Sequence, residues 1–232
     1  MSVRPAPPSV FRQVLLVLRK DLLIEWRARS RAFALACFAV TVLLLFSFAV
    51  GPDTAVMRSH ASAYLWLAVL LSSTLLLSQS FQVEVEAGAL EGLILAPIEP
   101  EALFYGKALS NTVQLVGLSL VITPFVLALF DGSFAEPLYW HAVLVVLGCA
   151  GVSAPGTLYA GLTARLDARQ LLLPLLLFPL LVPALLAAVK GTDLLMEGDP
   201  MDQLTSWAGL LACFDLIYWS ICGVLFPRVV DA

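Results

Sequence analysis

Residues 33–50 read FALACFAVTVLLLFSFAV, an uncharged apolar run of eighteen positions. A helix needs about 20 mostly apolar residues to cross the hydrocarbon core of a bilayer. Further stretches of this kind lie at 62–81, 108–130, 139–164, 170–189 and 206–226. The sequence therefore predicts an all-α integral membrane protein built as a bundle of six transmembrane helices. Pro174, Pro179 and Pro183 are expected to bend the fifth helix, which membrane helices tolerate.

The composition excludes an ordinary soluble domain. Of the 232 residues, 60% are hydrophobic and 13% are charged, whereas soluble proteins carry roughly 25% charged residues. The cysteines do not form a CxxC pair, so we interpret them as small core residues rather than as zinc ligands or a disulfide. They are Cys37, Cys149, Cys213 and Cys222.

The distribution of basic residues predicts the orientation of the helices, because the side richer in Lys and Arg faces the cytoplasm. One side has only Arg58 and Lys190. The other side has Arg4, Arg12, Arg19, Lys20, Arg27, Arg29, Arg31, Lys107, Arg165, Arg169 and Arg228. We therefore expect both termini in the cytoplasm, with a basic segment 1–32, a transmembrane domain 33–226 and a tail 227–232.

The segment from about residue 10 to residue 31 has the pattern of a basic amphipathic helix. Its apolar stripe consists of Phe11, Val14, Leu15, Leu18 and Leu22. Such a helix lies in the headgroup region of a membrane. It is either an elbow helix that orients the first span or a plain positively charged anchor, and the pattern does not separate the two.

The longest predicted connection, 82–107, reads QVEVEAGALEGLILAPIEPEALFYGK and contains five glutamates but one lysine. Residues 83–95 have an apolar and an acidic helix face, and Pro97 and Pro100 follow. The acidic face is too costly to insert into lipid. The segment is therefore either a docking element for a soluble partner or a solvated acidic loop.

The sequence lacks the motifs of several enzyme and cofactor sites. It has no GxxxxGK[ST] loop, because the Gly106-Lys107 pair lacks the first glycine and the hydroxyl residue. It also lacks CxxCH and HExxH. We therefore predict a transmembrane subunit without its own ATPase, with no resident metal or cofactor and no nucleic-acid partner.

Three polar residues in or near the spans carry open alternatives. Asp215 in the sixth span either couples protons or ions or makes a buried structural hydrogen bond, because a mid-bilayer acid is costly without a role. His60 and His141 lie at the external ends of spans, where they are either axial ligands of haem iron or interfacial residues.

The fourth span is rich in small residues, with Ala150/Ala154 and Gly156/Ala160 four positions apart. Small residues let helices approach closely. The pattern predicts close packing but does not tell whether the neighbour belongs to this chain or to another subunit.

The second span and the loop after it resemble the cytochrome c maturation protein B family, also called haem exporter protein B. The motifs that carry the resemblance are LWLAVLLSS at 65–73, Glu84, GALEGLILAP at 88–97, Pro100 and Lys107. Further matches are Gly51-Pro52, Ser153-Ala154-Pro155-Gly156, Pro179 and Pro183. The resemblance covers nearly the whole chain.

The resemblance implies a six-span permease subunit of the type 2 ABC exporter class in the bacterial inner membrane. It implies ATP hydrolysis by a separate ABC ATPase subunit and haem as cargo or on the chaperone that is released. It also implies a haem-handling membrane subunit, a small single-span subunit, a periplasmic haem chaperone and contact with membrane lipid. Residues 83–95 would be the coupling helix that docks on the ATPase, through Glu84, Gly88, Leu90, Glu91, Leu93 and Ile94.

Two other functions fit the same sequence. A type 2 ABC permease for another cargo, such as a lipid or a drug, would share the topology. A non-transport membrane scaffold of the maturation complex would share the partners but would not be needed for coupled ATP turnover.

Overall fold

A computed structural model gives the structure of the chain, and it describes residues 9–51, 53–82, 98–164 and 169–230. These ranges contain helices and no strands. In chain order the helices are α1 (Val10–Arg27), α2 (Arg29–Val50), α3 (Thr54–Ser59), α4 (Ala61–Gln79), α5 (Pro100–Leu129), α6 (Leu138–Thr163), α7 (Arg169–Glu197) and α8 (Leu204–Val230).

Six of these helices are long and apolar enough to cross a membrane, which confirms the predicted all-α membrane fold. They are α2, α4, α5, α6, α7 and α8. Short α3 follows α2, and Asp53 caps it by accepting hydrogen bonds from the backbone N–H groups of Ala55 and Val56. The fifth span, α7, runs as one helix through Pro174, Pro179 and Pro183.

Two of the differences from the predicted bounds place a lysine inside a helix. Helix α5 begins at Pro100 rather than at residue 108, because Pro is pre-organised for the first turn of a helix. Lys107, predicted in the connection, therefore lies inside α5. Helix α7 continues to Glu197, so Lys190 also lies within a helix, where its long side chain reaches the surface.

Helix α6 is at the centre of the bundle and packs against α4, α5, α7 and α8. Its glycines allow α4 to approach α6 closely. A Cβ at Gly148 would collide with the Trp66 ring, and one at Gly156 would collide with Leu77. Both neighbours belong to α4, so the small-residue face predicted in this span packs within the chain.

Helix α1 packs against α5 and is separated from α2 by Ala28 alone. Of the predicted apolar stripe, Val14 is buried, whereas Phe11 and Leu15 are exposed. The buried face also contains Val17 and the side chain of Gln13.

The cysteines do not all lie in the core. Cys149 and Cys222 are buried as predicted, but Cys37 and Cys213 are exposed on the surface of the bundle. The surfaces of spanning helices that face lipid are as apolar as a core, so hydrophobicity alone does not tell the two locations apart.

Candidate functional site

The predicted docking residues Glu84, Gly88, Leu90, Glu91, Leu93 and Ile94 lie outside the described residues. The structure does describe both flanks of this segment. Residues 80–82 follow α4, and residues 98 and 99 precede α5. The candidate site is therefore built from these flanks and from the helices that hold them.

The outgoing flank is attached to α1 by a hydrogen bond. The backbone N–H of Glu99 donates to Oε1 of Gln13 at 2.9 Å. Gln13 is only 3% exposed, so its amide is fixed by burial as well as by this bond. The start of α5 is thereby positioned by a side chain from α1, 86 residues earlier.

The incoming flank is attached to α5 by Lys107, which is 1% exposed. Its Nζ atom donates to the carbonyl oxygen of Ser80 at 2.7 Å and lies 3.3 Å from Oδ2 of Asp21. The same atom lies 4.6 Å from the centre of the Phe81 ring. A buried ammonium is costly unless its donors are satisfied, and these partners satisfy them. We call Lys107, Asp21, Ser80 and Phe81 the Lys107 cluster.

The neighbouring Gly106 allows α1 to approach α5 closely. A Cβ at this position would lie 2.6 Å from Cβ of Val17 and 3.1 Å from the carbonyl oxygen of Val14. The Gly106-Lys107 pair, which fails as a phosphate-binding motif, thus serves helix packing and charge pairing. The sequence did not predict this role, because the partners Asp21 and Gln13 belong to a distant helix.

A line of polar contacts continues from the Lys107 cluster along the interface between α5 and α6. In each contact the two polar atoms are 3.4 Å apart or closer. The groups involved are hydroxyl, amide, thiol, imidazole and backbone carbonyl groups. The contacts are Asn111 to Thr157, Ser153 to the carbonyl oxygen of Ala108, Ser119 to Cys149, and Thr123 to His141. We call this line the α5–α6 polar seam, and it spans most of the length of both helices.

Comparison with known proteins decides the family. The family model for CcmB protein matches residues 12–228, nearly the whole chain. The chain belongs to the CcmB family. It is 36% identical to heme exporter protein B of Rhodobacter capsulatus over 182 residues, which cover 78% of this chain and 82% of the relative. It is 30% identical to heme exporter protein B of Pseudomonas aeruginosa over 202 residues, or 87% and 90% of the two chains.

Asp215 of this CcmB-family chain is 9% exposed and faces α6. A Cβ at Gly151 would lie 3.0 Å from its Oδ1 atom, so the glycine leaves room for the carboxyl group. Oδ1 is buried and has no hydrogen-bond partner among the described residues. The structural hydrogen bond that the sequence suggested is therefore not made by this oxygen.

The two histidines have different surroundings. Nδ1 of His60 is exposed and lies 2.9 Å from the hydroxyl of Ser59 and 3.0 Å from the carbonyl oxygen of Val56. His141 is buried, and its Nε2 atom lies 3.0 Å from the hydroxyl of Thr123. Across the described ranges, His, Cys, Asp and Glu side chains form no group of three or more that would hold a metal ion.

Proposed function

We propose that this chain is the permease subunit of an ABC transporter for cytochrome c maturation. It couples ATP hydrolysis by a separate subunit to haem export or to release of a haem-loaded periplasmic chaperone. Family membership and relatives named heme exporter protein B support this function. The observation in the structure that carries the mechanism is the Lys107 cluster, which attaches one flank of segment 83–97 to the bundle.

Energy enters this subunit through contact with another protein, because its sequence has no phosphate-binding loop. The ATPase docks on residues 83–95. Glu84 and Glu91 meet a basic or hydrogen-bonding groove, and Gly88, Leu90, Leu93 and Ile94 complete the contact. Closure of the ATPase dimer on ATP displaces this segment relative to the membrane.

The flanks pass this displacement to the bundle. A push on residue 80 or 81 reaches α5 through Lys107, and a push on Glu99 reaches α1 through Gln13. In the α5–α6 polar seam, hydroxyl groups on the two helices can then exchange hydrogen-bond partners in discrete steps. Allosteric transitions need such elements with two packed arrangements.

The orientation follows from the same proposal. Segment 1–32 and tail 227–232 lie in the cytoplasm, and domain 33–226 spans the bacterial inner membrane six times. Segment 83–97 then faces the cytoplasmic ATPase, whereas the α3 end faces the periplasmic chaperone. ATP is bound by the partner, and haem is cargo rather than a resident cofactor. A haem-handling membrane subunit and a small single-span subunit complete the complex.

The test is reversal of two docking charges, Glu84→Lys together with Glu91→Lys. Like charges placed against a basic groove cost several kcal/mol. We expect the ATPase subunit to stop co-purifying, or its activity to become uncoupled from cytochrome c maturation, at normal membrane abundance of the variant. The measurements are pull-down in mild detergent and haem staining of cytochrome c.

The matched control is Glu197→Lys, because Glu197 is exposed at the opposite end of the bundle, on the last turn of α7. It should leave ATPase association unchanged. Normal ATPase binding and normal maturation in the Glu84/Glu91 double variant would show that docking does not use this segment.

A further inference from the structure

A cleft opens where α1, α2, α4 and α5 meet, next to the Lys107 cluster. It consists of two adjoining hollows of about 40 Å³ and about 390 Å³. Glu25, Leu35, Leu76 and Gln114 line both of them, so the two hollows lie side by side.

The inner hollow is rich in hydrogen-bond acceptors. Oε1 of Gln79 is buried and has no hydrogen-bond partner within the described part of the chain. The carboxyl group of Glu25 lies 3.8 Å from Arg31, at the outer limit of an ion pair. Burial raises the pKa of Glu25 despite the opposing effect of Arg31, so the carboxylate lacks full compensation. Asp21 also lines this hollow but is already paired with Lys20 and Lys107.

The outer hollow is apolar. Apart from Glu25 and Gln114, its lining consists of carbon-rich side chains and a glycine, including Trp26, Ala36 and Val121. Trp26 is 72% exposed and Val121 is 49% exposed, so the hollow opens at the surface of the spanning helices. An ideal Cβ at Gly117 meets no atom within 4 Å, so the surface of α5 is open at this position of the outer hollow.

We propose that this cleft binds a single phospholipid with a primary ammonium headgroup, of the phosphatidylethanolamine type. The ammonium donates to Oε1 of Gln79 and to the carboxylate of Glu25, and the phosphate lies towards Arg31. One acyl chain lies along Gly117 in the outer hollow. A primary ammonium has several N–H donors, which matches two under-satisfied acceptors.

Charge and shape disfavour the other amphiphiles. A choline headgroup has no N–H donor, and a glycerol headgroup offers hydroxyl groups but no cation to pair with the carboxylate of Glu25. The propionates of haem would likewise bring no cation to Glu25.

The test measures lipid retention by native mass spectrometry of the purified full-length protein. The protein is delipidated in detergent and then exposed to dioleoyl phosphatidylethanolamine, phosphatidylcholine or phosphatidylglycerol. We expect one phosphatidylethanolamine molecule to be retained roughly tenfold better than the other two, the ratio expected for a lost hydrogen bond to a charged group. Equal retention of all three lipids, or a polypeptide in place of lipid, would overturn the proposal.

Variants locate the site. Gly117→Phe should fill the outer hollow without a backbone clash and abolish the retained lipid. The control is Gly209→Phe on α8, where a Cβ also meets open space. A combined Glu25→Gln and Gln79→Leu variant should keep lipid binding but lose the headgroup preference. If Gly117→Phe does not fold, this double variant alone tests the proposed site. A headgroup preference that persists in the double variant would refute the proposed contacts.

Discussion

At the end of the bundle that contains α1, a buried ammonium group holds three segments together. At the opposite end, the contacts between helices use neutral groups or charges that reach solvent. There the indole N–H of Trp66 donates to the hydroxyl of Thr192 at 2.9 Å, and Ser62 donates to Asp193. Arg58 donates to the hydroxyl of Ser133 at 2.9 Å on the surface.

This difference indicates where the molecule is sensitive to displacement. A buried charge is stable only in one arrangement of partners, because moving one partner leaves the charge unsatisfied. Neutral hydrogen bonds cost less to break and re-form. Displacement of the flank of segment 83–97 should therefore cost more free energy at the Lys107 cluster than an equal displacement would cost at the opposite end.

The largest effect is expected for Lys107→Met, which keeps the unbranched apolar stem of the side chain but removes its charge. Loss of one member of a buried pair costs about 3 kcal/mol or more when the remaining charge has no other partner, and Lys20, 3.0 Å from Asp21, offsets part of this cost. We expect cytochrome c maturation to be lost and the ATPase, where it still binds, to turn over without coupling. Maturation is measured by haem staining, and turnover by phosphate release in the purified complex.

The control for this prediction is the double variant Lys107→Met with Asp21→Asn. It removes the Asp21 carboxylate together with the ammonium, so Asp21 is not left with Lys20 as its remaining ion-pair partner, and it should restore protein abundance without restoring coupling. A single Lys107→Met variant that supports normal maturation would show that the two ends of the bundle do not differ in this way.

An intermediate effect is expected at the opposite end for Gly148→Ala. The added methyl group would collide with Trp66, which is buried and held by its hydrogen bond to Thr192. Overpacking of this kind typically costs 1–3 kcal/mol. We expect a lower melting temperature in detergent but retained association with the ATPase.

The matched control is Gly209→Ala on α8, because a Cβ there meets no other atom within 4 Å. It should not lower the melting temperature, because alanine favours the helix more than glycine does. Equal melting temperatures for the two alanine variants would mean that α4 and α6 are not as closely packed at Gly148 as the structure has them.

The sequence predicts the spans well because about twenty apolar residues in a row have few alternatives to a membrane helix. The sequence does not predict that Lys107 lies inside a helix, because a lysine after Phe104, Tyr105 and Gly106 is equally consistent with the end of a loop. Its burial depends on Asp21 and on a carbonyl group of residue 80, and such long-range contacts leave no local pattern.

For the candidate functional residues, too, the sequence predicts some features and misses others. Asp215 could be identified from the sequence, because a single acid in an apolar run is conspicuous, but the lack of a partner for Oδ1 could not. The docking residues Glu84 and Glu91 were identified by their acidic helix face and by family resemblance. They lie outside the described residues, so their role stays a prediction.

The smallest effect is expected for Thr192→Val, which removes the acceptor of the Trp66 indole N–H and keeps the shape of the side chain. The variant also removes the hydrogen bond that the Thr192 hydroxyl donates to the carbonyl oxygen of Ala188 at 2.7 Å. Loss of a neutral hydrogen bond costs about 1 kcal/mol. We expect a small decrease in melting temperature and full coupling of ATP turnover to maturation. In a Trp66→Phe background the indole donor is absent, so the cost of Thr192→Val should fall to that of the Ala188 contact alone, and the double-mutant cycle isolates the bond between Trp66 and Thr192. An uncoupled ATPase in the Thr192→Val variant would contradict the comparison, because a neutral contact at the end remote from segment 83–97 would then control the same step as the buried charge of Lys107.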